Sequence, residues 1–164
     1  MLLDETHPRL QGSRLSAWEL EQLRINYDIL PDTAAGYYMQ KGESKLALVG
    51  ADRITANGDV ANKIGMYQIA VLAKENGIPF YSVAPTSTVD LSLATGAEIP
   101  IEERSKDEVL TLYGNPIVPP HFHARNPAFD VTPNHYLAGI VTENGIARPP
   151  FSDSLRRAVA GDQA

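Results

Sequence analysis

The sequence predicts an α/β fold: a Rossmann-like parallel sheet with helices on both faces, built as a single domain. Short apolar runs alternate with helically spaced ones through the first half of the chain, the pattern of strands joined by crossover helices. One run, Leu46-Ala47-Leu48-Val49-Gly50-Ala51, is continuously apolar, as a strand covered on both faces must be. At 164 residues with 43% hydrophobic residues, the chain suffices for one well-buried core. The domain is expected over 1–147, with 148–164 as a C-terminal tail.

Taken in order, Leu2-Leu3 reads as the stub of a first strand. A helix follows from Leu15, where Ser16 and Glu19 fit a capping box and Leu15 and Leu20 a hydrophobic staple, running to Leu23 or Arg24. Asn26 to Leu30 is a short strand; Asp32 then caps a helix to about Gln40, which Gly42 ends in a left-handed conformation. The apolar run at 46–51 is the central strand. After a loop holding Asn57-Gly58, a helix is expected from Asn62 to Glu75, since Met66, Ile69, Ala70 and Ala73 share one helical face. Asn76-Gly77 closes it, and Pro79 to Ala84 is the next strand. From Ser87 to Pro127 prolines and charges crowd a weakly periodic stretch that reads as loop. Thr132-Pro133 opens a last helix carrying Leu137, Ile140 and Val141, with Asn144-Gly145 as its end. The tail holds a short helix near Leu155 to Val159.

The charge balance narrows the function. Fourteen basic residues against twenty acidic give a net charge of −6, without any basic block, so nucleic acid and anionic membrane are not expected partners. There is no cysteine, which excludes disulfides, a thiolate zinc site and a cysteine nucleophile. No stretch approaches the roughly 18 apolar residues of a membrane span, and the start lacks a signal-peptide pattern, so a cytoplasmic location is expected. Walker and G-x-G-x-x-G patterns are absent, which argues against a nucleotide cofactor.

Four residues are candidates for chemistry. Asp52 directly follows the central strand, at the carboxyl end where open α/β sheets place ligands, and a carboxylate partly desolvated there suits proton shuttling. Position alone equally allows it to cap the following turn or pair with Arg53. Asn62 and Lys63 fall at the expected start of a helix, where free amides and the dipole favour an anion; they also fit an ordinary cap beside a solvated lysine. Gln11, in a turn after the first strand, could hydrogen-bond sugar hydroxyls or simply lie on the surface. His121 and His123 have the spacing of a metal clip but no third ligand, and no metal site is expected.

The runs Gly50-Ala51-Asp52-Arg53-Ile54, Ala56-Asn57-Gly58-Asp59 and Asn62-Lys63-Ile64-Gly65 resemble the signature of methylthioribose-1-phosphate isomerases, within the initiation factor 2B superfamily. Leu10-Gln11-Gly12-Ser13-Arg14-Leu15, Ile99-Pro100-Ile101-Glu102-Glu103-Arg104 and Asn126-Pro127-Ala128-Phe129-Asp130-Val131-Thr132-Pro133 extend the likeness over most of 4–145. The resemblance is to the family's carboxy-terminal half. It implies conversion of 5-methylthioribose 1-phosphate to 5-methylthioribulose 1-phosphate in methionine salvage, without cofactor. Asp52 would be the catalytic acid/base, and Gln11, Asn62 and Lys63 would line the site of a small sugar phosphate. It also implies a homodimer, and a separate amino-terminal half as partner, because the family draws a cysteine and phosphate-holding arginines from the half that precedes this one. Position 7 departs from the pattern, being His where Arg is usual. Two other readings belong to the same superfamily: a non-catalytic regulatory or dimerisation module like the initiation-factor subunits, and a ribose-1,5-bisphosphate isomerase.

Overall fold

The computed structural model describes residues 1–162. In chain order the elements are β1 (Leu2–Asp4), α1 (Ala17–Gln22), β2 (Asp28–Leu30), α2 (Ala35–Gln40), β3 (Ala47–Val49), β4 (Arg53–Thr55), β5 (Val60–Lys63), α3 (Met66–Glu75), β6 (Phe80–Val83) and β7 (Val89–Asp90). There follow α4 (Asp107–Leu110), β8 (Thr111–Leu112), β9 (Asn115–Pro116), β10 (Phe129–Thr132), β11 (Gly139–Thr142), β12 (Gly145–Ala147) and α5 (Phe151–Ala160). The α/β class read from the sequence is the class observed. The chain forms two compact units, residues 1–35 with 101–128, and 36–100 with 129 onward.

In the first unit β1 and β2 pair in parallel, Leu2 opposite Asp28. The Asp32 carboxylate accepts the Thr6 and His7 N–H groups at 2.7 and 2.6 Å, so it braces the turn after β1 rather than capping a helix. Ser16 makes no capping bond either, because the helix begins a turn earlier, as a π-helical Gly12–Ser16 segment that runs on into α1. Ala17 and Leu20 are its buried residues.

The second unit carries two four-stranded sheets, in the orders β12-β11-β6-β3 and β10-β5-β4-β7. In the first, β3, β6 and β11 are parallel and β12 is antiparallel to β11. Directly paired residues share a face, so the register sorts side chains into two sets. Phe80, Ser82, Ile140 and Ala147 are fully buried on one side, within the core that also holds Met66, Ala70 and Ala73 of α3. The opposite side presents Leu48, Tyr81, Val83, Val141 and Ile146, of which Leu48 is 52% exposed, Val83 44% and Ile146 39%. In α5, Phe151, Leu155 and Ala158 follow helical spacing and are all buried, and Gly161 ends it at φ 86°.

Two expected helices are corrected. Residues 60–63 form a strand, and α3 begins only at Met66, because Gly65 at φ 105° breaks the helical spiral on its amino side. Likewise Thr132-Pro133 does not open a helix. Thr132 ends β10, a single 3₁₀ turn covers Asn134–Tyr136, and Ile140-Val141 lie in strand β11. The 87–127 stretch, read as loop, contains several short elements of two to four residues.

Candidate functional site

Asp52 lies just before β4. Its N–H donates to the Ala61 carbonyl at 2.8 Å, and β4 pairs antiparallel with β5, Arg53 opposite Ala61 and Ile54 opposite Val60. Arg53 already faces Ala61, so this bond sets Asp52 and Arg53 both against Ala61, as in a β-bulge, and the regular register stops short of Asp52. Asn62 lies opposite Asp130 on β10, a cross-strand pair whose Cβ atoms stand on the order of 5 Å apart. The Asn62 Oδ1 lies 3.9 Å from where a Cβ on Gly50 would stand, an ordinary contact distance that places the amide beside the end of β3.

Burial differs among these residues: Asn62 and Asp130 are half-buried and Asp52 is exposed. The partly desolvated carboxylate expected at 52 is thus not found. Nor is Asp52 tied to Arg53, whose guanidinium is 3.2 Å from the Asp90 carboxylate. The Ser92 hydroxyl and amide, then Arg53, hold that Asp90 carboxyl below its usual range. Asp52, Arg53, Ser87, Thr88 and Asp90 border a cleft of about 370 Å³, within the size range of small-molecule sites.

Asn62 and Lys63 occupy the end of a strand, not the first turn of a helix as the sequence suggested. Two amides at the start of α3 are engaged by a carboxylate: Asp130 accepts the N-cap Gly65 N–H at 2.8 Å and the Tyr67 N–H at 3.2 Å. Burial pushes the Asp130 carboxyl up, against the opposing pull of those amides. Half-buried Lys63 stands one residue beyond Asn62, opposite Phe129. Gln11 belongs to the first unit, where it is exposed immediately ahead of the π-helical turn. His121 and His123 are exposed, and among the described residues no three His, Asp or Glu side chains gather as a metal site.

Sequence reasoning missed two carboxylates. Asp130 is one. The other, Asp59, accepts from Asn57 Nδ2 at 2.9 Å, the Gly96 N–H at 3.0 Å, the Asn134 N–H at 2.9 Å and Asn134 Nδ2 at 3.0 Å. Burial works to raise its pKa, and these four donors outweigh it, so the group stays below the ordinary carboxylate value. Both lie inside the quoted runs, yet their partners are up to 75 residues away.

A family profile described as the initiation factor 2 subunit family matches residues 1–149. The chain belongs to that family. Among initiation factor 2 subunit family relatives, the methylthioribose-1-phosphate isomerase of Roseiflexus castenholzii is 58% identical over 98% of this chain and 46% of its own length. That of Pelotomaculum thermopropionicum is 55% identical over 96% of this chain and 43% of its own. The chain spans less than half the length of these relatives. The crystal structure of 5-methylthioribose 1-phosphate isomerase from Pyrococcus horikoshii superposes with a TM-score of 0.93 at 53% identity, over 97% of this chain and 44% of that one. Translation initiation factor eIF-2B subunit delta from A. fulgidus gives 0.91 at 38% identity, over 97% and 46%.

Proposed function

We propose that this chain carries the acid/base half of a methylthioribose-1-phosphate isomerase, an aldose-ketose isomerase of methionine salvage. The observation that carries the reading is the bond from the Asp52 N–H to the Ala61 carbonyl, which holds Asp52 against the strand that ends in Asn62 and Lys63, in a chain 58% identical to an isomerase of that name. In this reading Asp52 moves a hydrogen between C1 and C2 of the sugar, as a proton or in support of a hydride shift. Asn62 hydrogen-bonds a sugar oxygen and Lys63 supplies the charge that holds the phosphate, while a sugar contact for Gln11, in the first unit, rests on the family resemblance alone. The exposed carboxyl at 52 becomes effective once a covering segment excludes water and strengthens every charge interaction around it. That cover, with the cysteine and arginines the resemblance implies, would come from the amino-terminal half of the family. A cytoplasmic homodimer fits the same reading.

The deciding assay follows ketose formation from 5-methylthioribose 1-phosphate by the chain alone and mixed with a separately expressed amino-terminal half. Turnover on mixing, lost in Asp52→Asn with sugar-phosphate binding retained, is the expected result. Absence of turnover in both conditions would remove the enzyme reading. A regulatory module is the second reading, favoured by the fit to the A. fulgidus subunit. Such a module would bind a small phosphate ester or dimerise without turning it over, and light scattering measures the dimer. Side-by-side turnover of ribose 1,5-bisphosphate separates the third.

A further inference from the structure

Asp130 has no part in the reaction outlined above, yet it lies directly opposite Asn62. Its position is set by β10, where it lies opposite Asn62, and its two oxygens reach out of the strand to separate amides, Gly65 N–H and Tyr67 N–H. Those amides bracket the reversal from β5 into α3. The chain has only Ile64 and Gly65 in which to turn from extended backbone to helix, and it does so through φ 105° at Gly65. A Cβ at Gly65 would meet nothing within 4 Å, so side-chain packing does not confine that residue. A glycine there has the widest conformational range of any residue, and Asp130 supplies the side-chain hydrogen bond that fixes it.

The arrangement also decides what the α3 amino terminus is available for. Helix first-turn amides commonly receive a bound anion, but here two are filled by a carboxylate built into the chain. A phosphate dianion brought to the same amides would face Asp130 at close range, with like charges repelling.

We propose that Asp130 is a positioning residue of the sugar-phosphate site: it leaves the substrate untouched and, through Gly65 and Tyr67, holds the turn from which Asn62 and Lys63 present their side chains. The phosphate is then read by side chains and not by the end of α3. This rests on the sugar-phosphate reading of Asn62 and Lys63, and the experiment separates the two.

Titrate 5-methylthioribose 1-phosphate into the nitrogen-15-labelled chain mixed with the unlabelled, separately expressed amino-terminal half, and follow the backbone amides of residues 62–67, in the parent and in Asp130→Ala, Asp130→Asn and Asp130→Glu. Asp130→Asn keeps one acceptor oxygen, so it carries the test should the alanine variant fail to fold. The expected result is binding by the parent with shifts at Asn62 and Lys63. Affinity should be weaker by about tenfold or more in Asp130→Ala, intermediate in Asp130→Asn and largely restored in Asp130→Glu. A variant that loses thermal stability while keeping the parent's affinity makes Asp130 a helix cap only and overturns the assignment, leaving the site reading intact. A parent that shows no shift at 62 and 63 overturns the site reading, and this inference with it.

Discussion

Replacing Asp59 by alanine tests how the second unit is held together. Its carboxylate accepts four N–H donors, from Asn57, Gly96 and twice from Asn134, and so ties the β4–β5 turn to two distant 3₁₀ segments. A hydrogen bond to a charged group contributes about 1.5–3 kcal/mol, and a donor left unpaired costs about 1–3 kcal/mol. Two of the donors are backbone amides that cannot turn elsewhere, while the two side-chain amides can rotate to water. Counting only the backbone pair, and discounting for a carboxylate that is not fully buried, gives a loss of about 3 kcal/mol. For a chain of this size that is about 6–12 °C in Tm. The pH dependence has a definite sign. Because the folded-state pKa lies below the unfolded one, the contribution is present above the unfolded value and disappears as pH falls through the folded value. Urea unfolding at pH 7 and at pH 3 should therefore show a large gap between parent and Asp59→Ala at the first pH and a small one at the second. A gap under about 1 kcal/mol at pH 7, or one that does not close on acidification, would refute the hub.

Other substitutions probe separate features. Burial, and then the neighbouring Asp32 charge, push the Asp4 carboxyl up to about 6, so its neutral form is favoured in the fold; that contribution is full below 3.8 and lost as pH rises through about 6. Asp4→Asn should gain about 1 kcal/mol at pH 8, after discounting for solvent, and flatten the decline of the parent's Tm between pH 4 and 7. Thr132 Oγ1 is buried without a hydrogen-bond partner among the described residues, so Thr132→Val should leave stability unchanged or raise it by about 1 kcal/mol in urea melts. Gly58 sits at φ 87°, and a Cβ there would come within 2.6 Å of Phe151; Gly58→Ala should cost about 2–4 kcal/mol, read as a Tm fall.

Four strands were legible, beginning with β1 at Leu2-Leu3 and β2 within 26–30. β3 and β6 lie within the runs at 46–51 and 79–84, and Gly42 does end α2 with a positive φ. Both misread helices share one cause, the Asn-Gly pair. At 57-58 it lies in the turn between β4 and β5, and at 144-145 it spans the end of the β11–β12 turn and the first residue of β12, each time a hairpin signal taken for punctuation or a helix end. The β-branched Ile140-Val141-Thr142 ahead of the second pair was the clue available. Asp52, Asn62 and Lys63 could be singled out because they lie near one another in sequence. Asp130 could not, since its bonds to Gly65 and Tyr67 span more than sixty residues and neither residue type announces a carboxylate partner.

The uncovered side of the β3-β6-β11-β12 sheet alters how this chain must be handled in solution. Fluorescent probes that brighten on oily surfaces are commonly taken to report a loosened, partly melted protein. With Leu48, Val83 and Ile146 open on the intact sheet, the native chain is itself a receptor for such a dye, and the signal should fall, not rise, as the sheet comes apart.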